Sequence, residues 1–227
     1  AEGELDRLFR YRHRVTAHDL ARHAAVDRTP LTVAITGASG LVGTALTAFL
    51  TTGGHRVVRI GRGAPPAPGP NPSVRDVTWD PSRGLLEPAE LEGVDAVIHL
   101  AGANVGERWT AAHKRAIAES RALGTRLIAE TVARLDAPPR VLVSMSATGI
   151  YGDRGDEPLD EASAPGTGFL ADVARRWEAA ADPARAVGIR VVHPRLGVVL
   201  TPAGGALQKL LPPFQLGAGG PMGSGRQ

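Results

Sequence analysis

From residue 31 onward, short apolar runs alternate with stretches whose apolar residues recur at helical spacing. The apolar runs predict six strands, at 31–36, 56–60, 74–79, 95–100, 141–145 and 189–192, the last continuing at 197–200 beyond a proline. The helical spacing predicts helices at 41–50, about 110–135 and about 169–181. Alternating strands and helices are typical of a parallel sheet covered on both faces. The pattern therefore predicts an α/β domain with a doubly wound parallel sheet.

Three segments lack this alternation. Residues 1–28 mix apolar with basic positions and predict only a short helix from residue 16 to 24 or 25, so we expect an arm or the tail of a preceding domain. The Pro/Gly stretch 63–72 predicts an exposed loop, and an irregular loop follows at 149–168. The segment 211–227 is again rich in Gly and Pro and predicts no terminating element. Residues 29–227 are then the folded domain.

Three glycines stand between the first predicted strand and the first predicted helix of that domain, in Thr36-Gly-Ala-Ser-Gly-Leu-Val-Gly43. Gly37 permits a tight turn, Gly40 lets the backbone approach a pyrophosphate, and Gly43 lets helix and strand pack closely. The free N–H groups and the dipole of the helix then face the phosphates. This context favours a Rossmann-type dinucleotide site over a glycine turn without a ligand. The expected contacts are Gly37, Ser39, Gly40, Leu41, Val42 and Gly43.

The second predicted strand bears on which dinucleotide binds. A site for NAD normally places an acidic residue on the ribose 2′-hydroxyl about 20 residues after the glycines. No Asp or Glu occurs between Thr36 and Asp76, and Arg59 and Arg62 stand at the end of the strand instead. A guanidinium there suits a 2′-phosphate, although Arg62 can equally be an ordinary solvated loop arginine. The sequence predicts NADP, with NAD the less favoured cofactor.

Two further segments are expected at the same crevice, because ligands bind beyond the carboxyl ends of the strands. Leu100, Ala101 and Gly102 end the fourth predicted strand, and their small size permits close approach of the cofactor. Asp80 follows the third strand. It either contacts the adenine or caps a turn before Pro81, and the sequence leaves both open.

Composition narrows the function classes. The chain has 227 residues, 43% hydrophobic and 22% charged, as in an ordinary globular protein. It has no cysteine, which excludes disulfides and thiolate metal sites and suits a reducing, cytoplasmic compartment. No apolar run is long enough for a membrane span. The net charge of +3 comes with no nucleic-acid-binding signature. We therefore expect a small-molecule partner, with no nucleic acid, membrane or metal.

Several motifs carry a family resemblance. Thr36–Gly43, His99-Leu-Ala-Gly102 and Ser146-Ala-Thr-Gly-Ile-Tyr-Gly152 resemble the extended short-chain dehydrogenase/reductase superfamily. Arg108-Trp-Thr110, Ser120-Arg121, Trp177-Glu178 and 217–227 more narrowly resemble an atypical group, the NAD(P)-dependent epimerase-like proteins, also called the epimerase family or SulA-like proteins. Residues 1–28 resemble the linker of actinobacterial members that are fused to a cyclase-like, START-type domain.

The resemblance implies an NADP-dependent oxidoreductase or epimerase that acts on a small polar substrate, for example a nucleotide sugar. It also implies a C-terminal part, absent from this chain, that closes over the substrate. Extended members often form homodimers through two long helices, which here correspond to about 110–135 and 169–181. Fold-level analogy does not by itself fix the reaction.

The chain departs from the superfamily in its catalytic residues. Ordinary members use a Tyr-x-x-x-Lys pair, but the residues four beyond Tyr11 and Tyr151 are Val15 and Gly155. The remaining catalytic candidates are Ser146, Thr148 and Tyr151. Ser146 or Thr148 can hold a substrate oxygen. The sequence places no cation beside Tyr151, so a packed loop aromatic is favoured over a proton donor.

Other charged residues near these candidates stay ambiguous. The loop acids are better explained as solvated than as a general acid; they are Asp153, Asp156, Asp160 and Glu161. Arg195 either faces an anionic substrate group or bridges the sheet edge. Because the Tyr/Lys pair is missing, a second hypothesis stays open, a non-catalytic NADP-binding sensor or scaffold.

Overall fold

The computed structural model describes residues 2–26, 29–63 and 71–220. Within this part of the chain the strands are β1 (Thr32–Thr36), β2 (Arg56–Gly61), β3 (Val74–Asp80), β4 (Leu85–Leu86), β5 (Ala96–His99), β6 (Val141–Ser144), β7 (Ser146–Ala147), β8 (Arg190–Val192) and β9 (Arg195–Leu196). The helices are α1 (Glu2–Ala24), α2 (Leu41–Thr52), α3 (Ala111–Val132), α4 (Phe169–Ala179), α5 (Asp182–Ala186) and α6 (Gly205–Gln215). Short 3-10 turns cover Pro88–Leu91 and Thr148–Tyr151.

The main sheet has seven strands in the order β4-β3-β2-β1-β5-β6-β8. All neighbouring pairs are parallel except β3 with β4, which is antiparallel. The order runs outward in both directions from β1, so β1 is the point where the connections change side. The predicted doubly wound parallel sheet is confirmed, and its six predicted strands correspond to β1, β2, β3, β5, β6 and β8.

Helices cover both faces of the sheet because neighbouring residues of a strand point to opposite sides. On one face, Val33, Ile35 and Val57 pack with Leu46 and Leu50 of α2. On the other face, strand residues pack against α3 and α5; this cluster includes Ala34, Val58, Val97, Leu142, Leu127, Ile128, Val132 and Ala184. The central strand β1 therefore buries apolar side chains on both faces, which is why its sequence is a nearly continuous apolar run.

Helix α1 is much longer than the short helix predicted for residues 16–25. It spans 23 residues, most of them exposed, and its C-terminal end is held on α2. The His23 ring stacks on Phe49 with centroids 4.2 Å apart, and Nε2 lies 2.9 Å from the Phe49 carbonyl oxygen. The prediction was too short because the apolar and basic residues at 8–15 show no single buried face, although the segment lacks Pro and is rich in good helix formers.

The structure also differs from the predictions after β8, and it contains elements that were not predicted. The strand predicted at 197–200 is wrong: after β8 the chain turns at Pro194, and β9 pairs with β7 in a separate two-stranded parallel sheet. Strand β4 and helix α6 were not predicted, the latter because it contains Pro212 and Pro213. Parts of the predicted loop 63–72 and tail 211–227, namely 64–70 and 221–227, lie outside the described residues. Among the described helices none is long and apolar enough to cross a membrane.

Candidate functional site

The carboxyl ends of β1, β2, β5 and β6 lie side by side at one edge of the sheet. Helix α2 follows β1 on one face, and α3 follows β5 on the other. This arrangement opens a crevice at the edge, which is where doubly wound sheets bind ligands. The predicted cofactor residues at 37–43 and 100–102 both border it, since they directly follow β1 and β5.

The glycine turn after β1 is packed too tightly for side chains. Gly37 has φ +66°, and a Cβ there would lie 3.0 Å from the backbone of Leu100 and Ala101. A Cβ on Gly43, in the first turn of α2, would overlap the carbonyl oxygen of Gly37 and lie 2.6 Å from Ala38 Cα. The structure therefore brings the turn, the start of α2 and the segment after β5 into direct backbone contact; the close packing at Gly43 was predicted, and the contact with the segment after β5 was not.

The N-terminus of α2 is open to a ligand. Its cap residue is Gly40, which offers no side-chain hydrogen bond, and the first turn contains no acidic residue. Ser39 and Gly40 are exposed, and Val42 is 37% exposed. Because the first N–H groups of a helix have no intrahelical partner, they are available to an anion at this point. These backbone groups fit a pyrophosphate, and the missing side chains leave room for its close approach.

A buried threonine–histidine pair fixes the segment after β5. Thr36 Oγ1 accepts hydrogen bonds from the backbone N–H of Leu100 at 3.1 Å and of Ala101 at 3.2 Å. With both of these bonds accepted, the Thr36 hydroxyl group donates its proton to Nδ1 of His99, 2.7 Å away. His99 is fully buried, and burial, with a smaller effect of the Arg121 charge, lowers its pKa to about 4. A neutral His99 therefore holds the backbone of Leu100 and Ala101 in place through Thr36.

The two arginines predicted for a 2′-phosphate have different environments. Arg59 pairs with Asp76 of β3 through two hydrogen bonds, Nε to Oδ1 at 2.9 Å and Nη2 to Oδ2 at 2.6 Å. The structure therefore does not support Arg59 as a phosphate ligand, because a cross-strand carboxylate already neutralises it. Arg62 is exposed just beyond β2 and makes no ion pair or hydrogen bond within the described chain. Only Arg62 remains available to an anion.

Asp80 supports the turn that follows β3. Its Oδ1 accepts hydrogen bonds from the backbone N–H of Ser82 at 3.0 Å and from the Ser82 hydroxyl at 2.6 Å. The hydroxyl bond is the main cause that lowers the pKa of Asp80. The structure thus accounts for Asp80 by the turn-capping alternative, and the adenine contact stays a prediction.

The catalytic candidates form a connected polar network with two residues from other elements. Ser146, buried at the start of β7, donates its hydroxyl proton to Oε1 of Glu178 in α4 at 2.6 Å. Arg195 of β9 holds the same carboxylate through Nε at 2.9 Å and Nη2 at 3.1 Å. Its Nη1 donates to the hydroxyl oxygen of Tyr151 at 2.8 Å. Hydrogen bonds thereby connect a serine, a carboxylate, a guanidinium and a phenol, in that order.

The charges in this network stabilise each other. Burial acts to raise the pKa of Glu178, but hydrogen bonds from Arg195 and Ser146 outweigh it and lower the pKa. The bonds to Glu178, followed by the bond to Tyr151, raise the pKa of Arg195. Glu178 is therefore an anion at neutral pH, and its pairing with Arg195 leaves the network without net charge.

One premise about Tyr151 was wrong. Its side chain is packed, as expected, against Ile150 and Ala174, but a cation lies beside its hydroxyl group, supplied by Arg195. Because a guanidinium only donates, the phenolic proton of Tyr151 stays free for another acceptor. Thr148 is exposed at the start of the 3-10 turn. Of the loop acids, Asp160 caps its own turn through Ser163, in keeping with a solvated loop.

Sequence reasoning did not assign a role to Glu178 or His99. Both pair with residues far along the chain, Glu178 with Arg195 and His99 with Thr36. The only available signal for Glu178 was its place beside Trp177 in a family motif. For His99 the signal was a polar residue at the end of an otherwise apolar strand, next to the predicted cofactor segment.

Comparison with known proteins gives consistent matches. The profile of the NAD dependent epimerase/dehydratase family matches residues 33–212. The epimerase family protein Mb2239 of Mycobacterium bovis is 44% identical over 196 residues, which cover 86% of this chain and 62% of that protein. This chain thus spans about three-fifths of that relative's length.

Two solved structures are also similar. The nucleoside-diphosphate sugar epimerase from Corynebacterium glutamicum has a TM-score of 0.77 at 44% identity, covering 92% of this chain and 42% of that one. The human epimerase family protein SDR39U1 with NADPH has a TM-score of 0.71 at 33% identity, covering 87% of this chain and 64% of that one.

Proposed function

The chain belongs to the NAD dependent epimerase/dehydratase family, and from that premise we propose that it binds NADP(H) and acts as a reductase or epimerase on a small polar substrate. Binding of a dinucleotide is common to this family, whereas the choice of NADP over NAD and the reaction are our inference. A nucleotide sugar is the substrate class favoured by analogy, since a similar structure carries the name nucleoside-diphosphate sugar epimerase.

The observation that carries the proposal is the side-chain-free packing around Gly37 and Gly43. A methyl group at either position would meet backbone atoms at 3.0 Å or less, so only glycine is compatible with the arrangement. The arrangement leaves the N-terminus of α2 without a capping side chain. Since such a helix end is a binding site for phosphate, the pyrophosphate of the cofactor accounts for why it is left open.

The preference for NADP rests on the end of β2. Gly61 closes this strand, where no carboxylate is present to accept a hydrogen bond from the ribose 2′-hydroxyl. Asp76 of the neighbouring strand β3 is bound to Arg59, and Asp80 is bound by its own turn at Ser82. Arg62 is exposed and unpaired within the described chain, and a guanidinium suits a 2′-phosphate. The NADPH in the human relative's structure supports the same choice.

The network around Ser146 supplies the groups for handling a substrate oxygen. The cofactor, when bound, accepts or donates a hydride. Because Ser146 gives its proton to Glu178, its oxygen is free to accept a hydrogen bond from a substrate hydroxyl. Tyr151 keeps its proton available while Arg195 donates to its oxygen, so it can donate to the substrate. We propose that Arg195 serves as the cation that the missing lysine provides in ordinary members.

A non-catalytic NADP sensor or scaffold is the second candidate, favoured by the missing Tyr-x-x-x-Lys pair. A screen for NADPH oxidation with a panel of carbonyl compounds, together with chromatographic detection of epimerised product from nucleotide sugars, separates the two, because an epimerase regenerates its cofactor and shows no net oxidation of it. Turnover that falls at least tenfold in Tyr151→Phe supports an enzyme. NADPH binding without turnover of any compound supports the sensor.

The test of cofactor binding is the thermal stability of the full chain with NADPH and with NADH. A ligand that binds only the folded state raises its free energy of unfolding by about 2.7 kcal/mol at a concentration of 100 Kd. We expect NADPH to stabilise the chain more than NADH. If neither does, the proposal is wrong.

The remaining parts of the assignment are proposals of the same kind. A cysteine-free chain suits a cytoplasmic location, which cell fractionation would test. Dimerisation through α3 and α4 rests on analogy, and light scattering on the purified chain decides it. Closure over the substrate by a further C-terminal part would show as substrate turnover that the longer protein has and this chain lacks.

A further inference from the structure

Arg121 of α3 is a partly buried cation without a carboxylate partner. Its Nη1 donates to the carbonyl oxygens of Ile117 and Ala103, each at 3.1 Å, and its Cζ lies 4.9 Å from the centroid of the Trp177 ring. The other guanidinium N–H groups make no hydrogen bond to the described chain, and Arg121 forms no ion pair there. Several donors of a desolvated cation are thus unused.

Two other arginines of the sheet region have carboxylate partners, whereas Lys114, on the same helix as Arg121, has none in the part of the chain that the structure describes. Arg195 is neutralised by Glu178 and Arg59 by Asp76. Lys114, seven residues before Arg121 on α3, also lacks an ion pair within the described chain and lies 5.3 Å from the Phe169 ring centroid. Lys114 and Arg121 are thus two cations without an ion pair in the described chain, on the side of α3 that contacts Phe169 and Trp177 of α4.

The position of Arg121 links the cofactor segment to the catalytic candidates. Gly102 follows the two residues that contact the glycine turn, and a Cβ on Gly102 would lie 3.2 Å from Cζ of Arg121. On its other side, Arg121 stacks on Trp177, the residue next to Glu178. The guanidinium therefore stands between the end of β5 and the network that holds Ser146.

We propose that Arg121 binds an anionic group, a carboxylate or a phosphate, on the substrate. The inference rests on the proposed function, because it assumes that the cofactor occupies the glycine turn. The cofactor phosphates are assigned to the N-terminus of α2, beside Gly37 and Gly43, whereas Arg121 contacts the segment after β5 further along, at Gly102 and Ala103. A guanidinium presents paired N–H donors that match two oxygens of a carboxylate or phosphate.

The test measures binding of two probe anions, malonate and inorganic phosphate, to the full chain saturated with NADPH. Arg121→Gln removes the charge, and Arg115→Gln is the matched control, an exposed arginine on the same helix. We expect at least one probe to bind the wild-type chain. Its Kd should rise about tenfold or more in Arg121→Gln and stay unchanged in Arg115→Gln, while the Kd of NADPH changes less than about threefold. The probe that responds identifies the anion class.

Either of two results with Arg121→Gln would overturn the inference: probe binding equal to that of wild type, or a tenfold loss of NADPH affinity, which would make Arg121 a cofactor residue. Failure of wild type to bind either probe would do the same. If NADPH does not bind wild type at all, the proposed function fails instead.

Should Arg121→Gln not fold, phenylglyoxal labelling of the wild-type chain decides the question by mass spectrometry. The responding anion should slow modification of Arg121 and leave Arg115 unaffected. Equal labelling rates with and without the anion refute the site.

Discussion

Replacing Gly43 by alanine introduces a methyl group where the start of α2 lies on the glycine turn. The new Cβ would overlap the carbonyl oxygen of Gly37 and lie 2.6 Å from Cα and 2.9 Å from the carbonyl carbon of Ala38. All three are backbone atoms, so no side-chain rotation relieves the overlap. The helix and the turn must move apart, and the N–H groups that face the phosphates move with them.

The cost follows from two opposing terms. Overpacking against fixed atoms costs up to about 3 kcal/mol, and alanine regains about 1 kcal/mol over glycine within a helix. The net loss of about 2 kcal/mol corresponds to a fall in Tm of about 4–8 °C for a domain of this size. Misalignment of one hydrogen bond to a charged phosphate removes a further contribution to binding, so the Kd of NADPH should rise about tenfold.

Thermal unfolding and titration calorimetry with NADPH check both figures. Gly3→Ala is the matched control, because Gly3 also lies in a helix and a Cβ there meets no atom within 4 Å. The control should retain the wild-type NADPH affinity, and its Tm should not fall, because only the favourable helix propensity of alanine remains there. A Gly43→Ala chain that is as stable as wild type and binds NADPH equally well would refute the packing argument.

Three further predictions concern the supporting structure. Glu178→Gln should lower the free energy of unfolding by about 2 kcal/mol at neutral pH, because it leaves Arg195 unpaired. The pKa of Glu178 is lowered in the folded state, so the difference between wild type and variant should shrink as the pH falls below about 4.3. Urea unfolding at several pH values measures this difference. Burial lowers the pKa of His99 to about 4, so as the pH falls this residue takes up a proton in the unfolded chain before it does so in the folded chain. Protonation should therefore lower the free energy of unfolding by about 3 kcal/mol between about pH 6.5 and 4. If the free energy of unfolding of His99→Asn falls as steeply with pH as that of wild type, the prediction is wrong. Gly53→Ala should displace the His23 ring, whose Nε2 lies 2.6 Å from the added Cβ, and speed amide exchange at 20–25 without changing NADPH affinity; unchanged exchange would show that this contact does not hold α1.

The sheet could be predicted from the sequence because a strand that is buried on both faces has a short, continuous run of apolar residues. Sequence reasoning also predicted the glycine turn, whose spacing of Gly37, Gly40 and Gly43 is a local property. It failed where the information is not local. Helix α1 has no buried stripe, since only its end is held by α2, and α6 includes two adjacent prolines that normally end a helix.

The candidate site was predicted less completely than the fold for the same reason. The pairing of Arg59 with Asp76 depends on the register of β2 with β3, which the sequence does not display. The network from Ser146 to Tyr151 joins β7, α4, β9 and a 3-10 turn, and only the folded chain brings Arg195 to both partners. The Tyr-x-x-x-Lys spacing places a cation four residues after the tyrosine, whereas the cation beside Tyr151 is Arg195, 44 residues further along the chain.

The central claim, an open helix end that binds the 2′-phosphorylated dinucleotide, is tested most directly by comparing the Kd of NADPH with that of NADH for wild type and Arg62→Gln. The account predicts that wild type binds NADPH about tenfold or more tightly than NADH, and that Arg62→Gln removes this preference by weakening NADPH alone. Equal affinities in wild type, or an unchanged preference in Arg62→Gln, would contradict it.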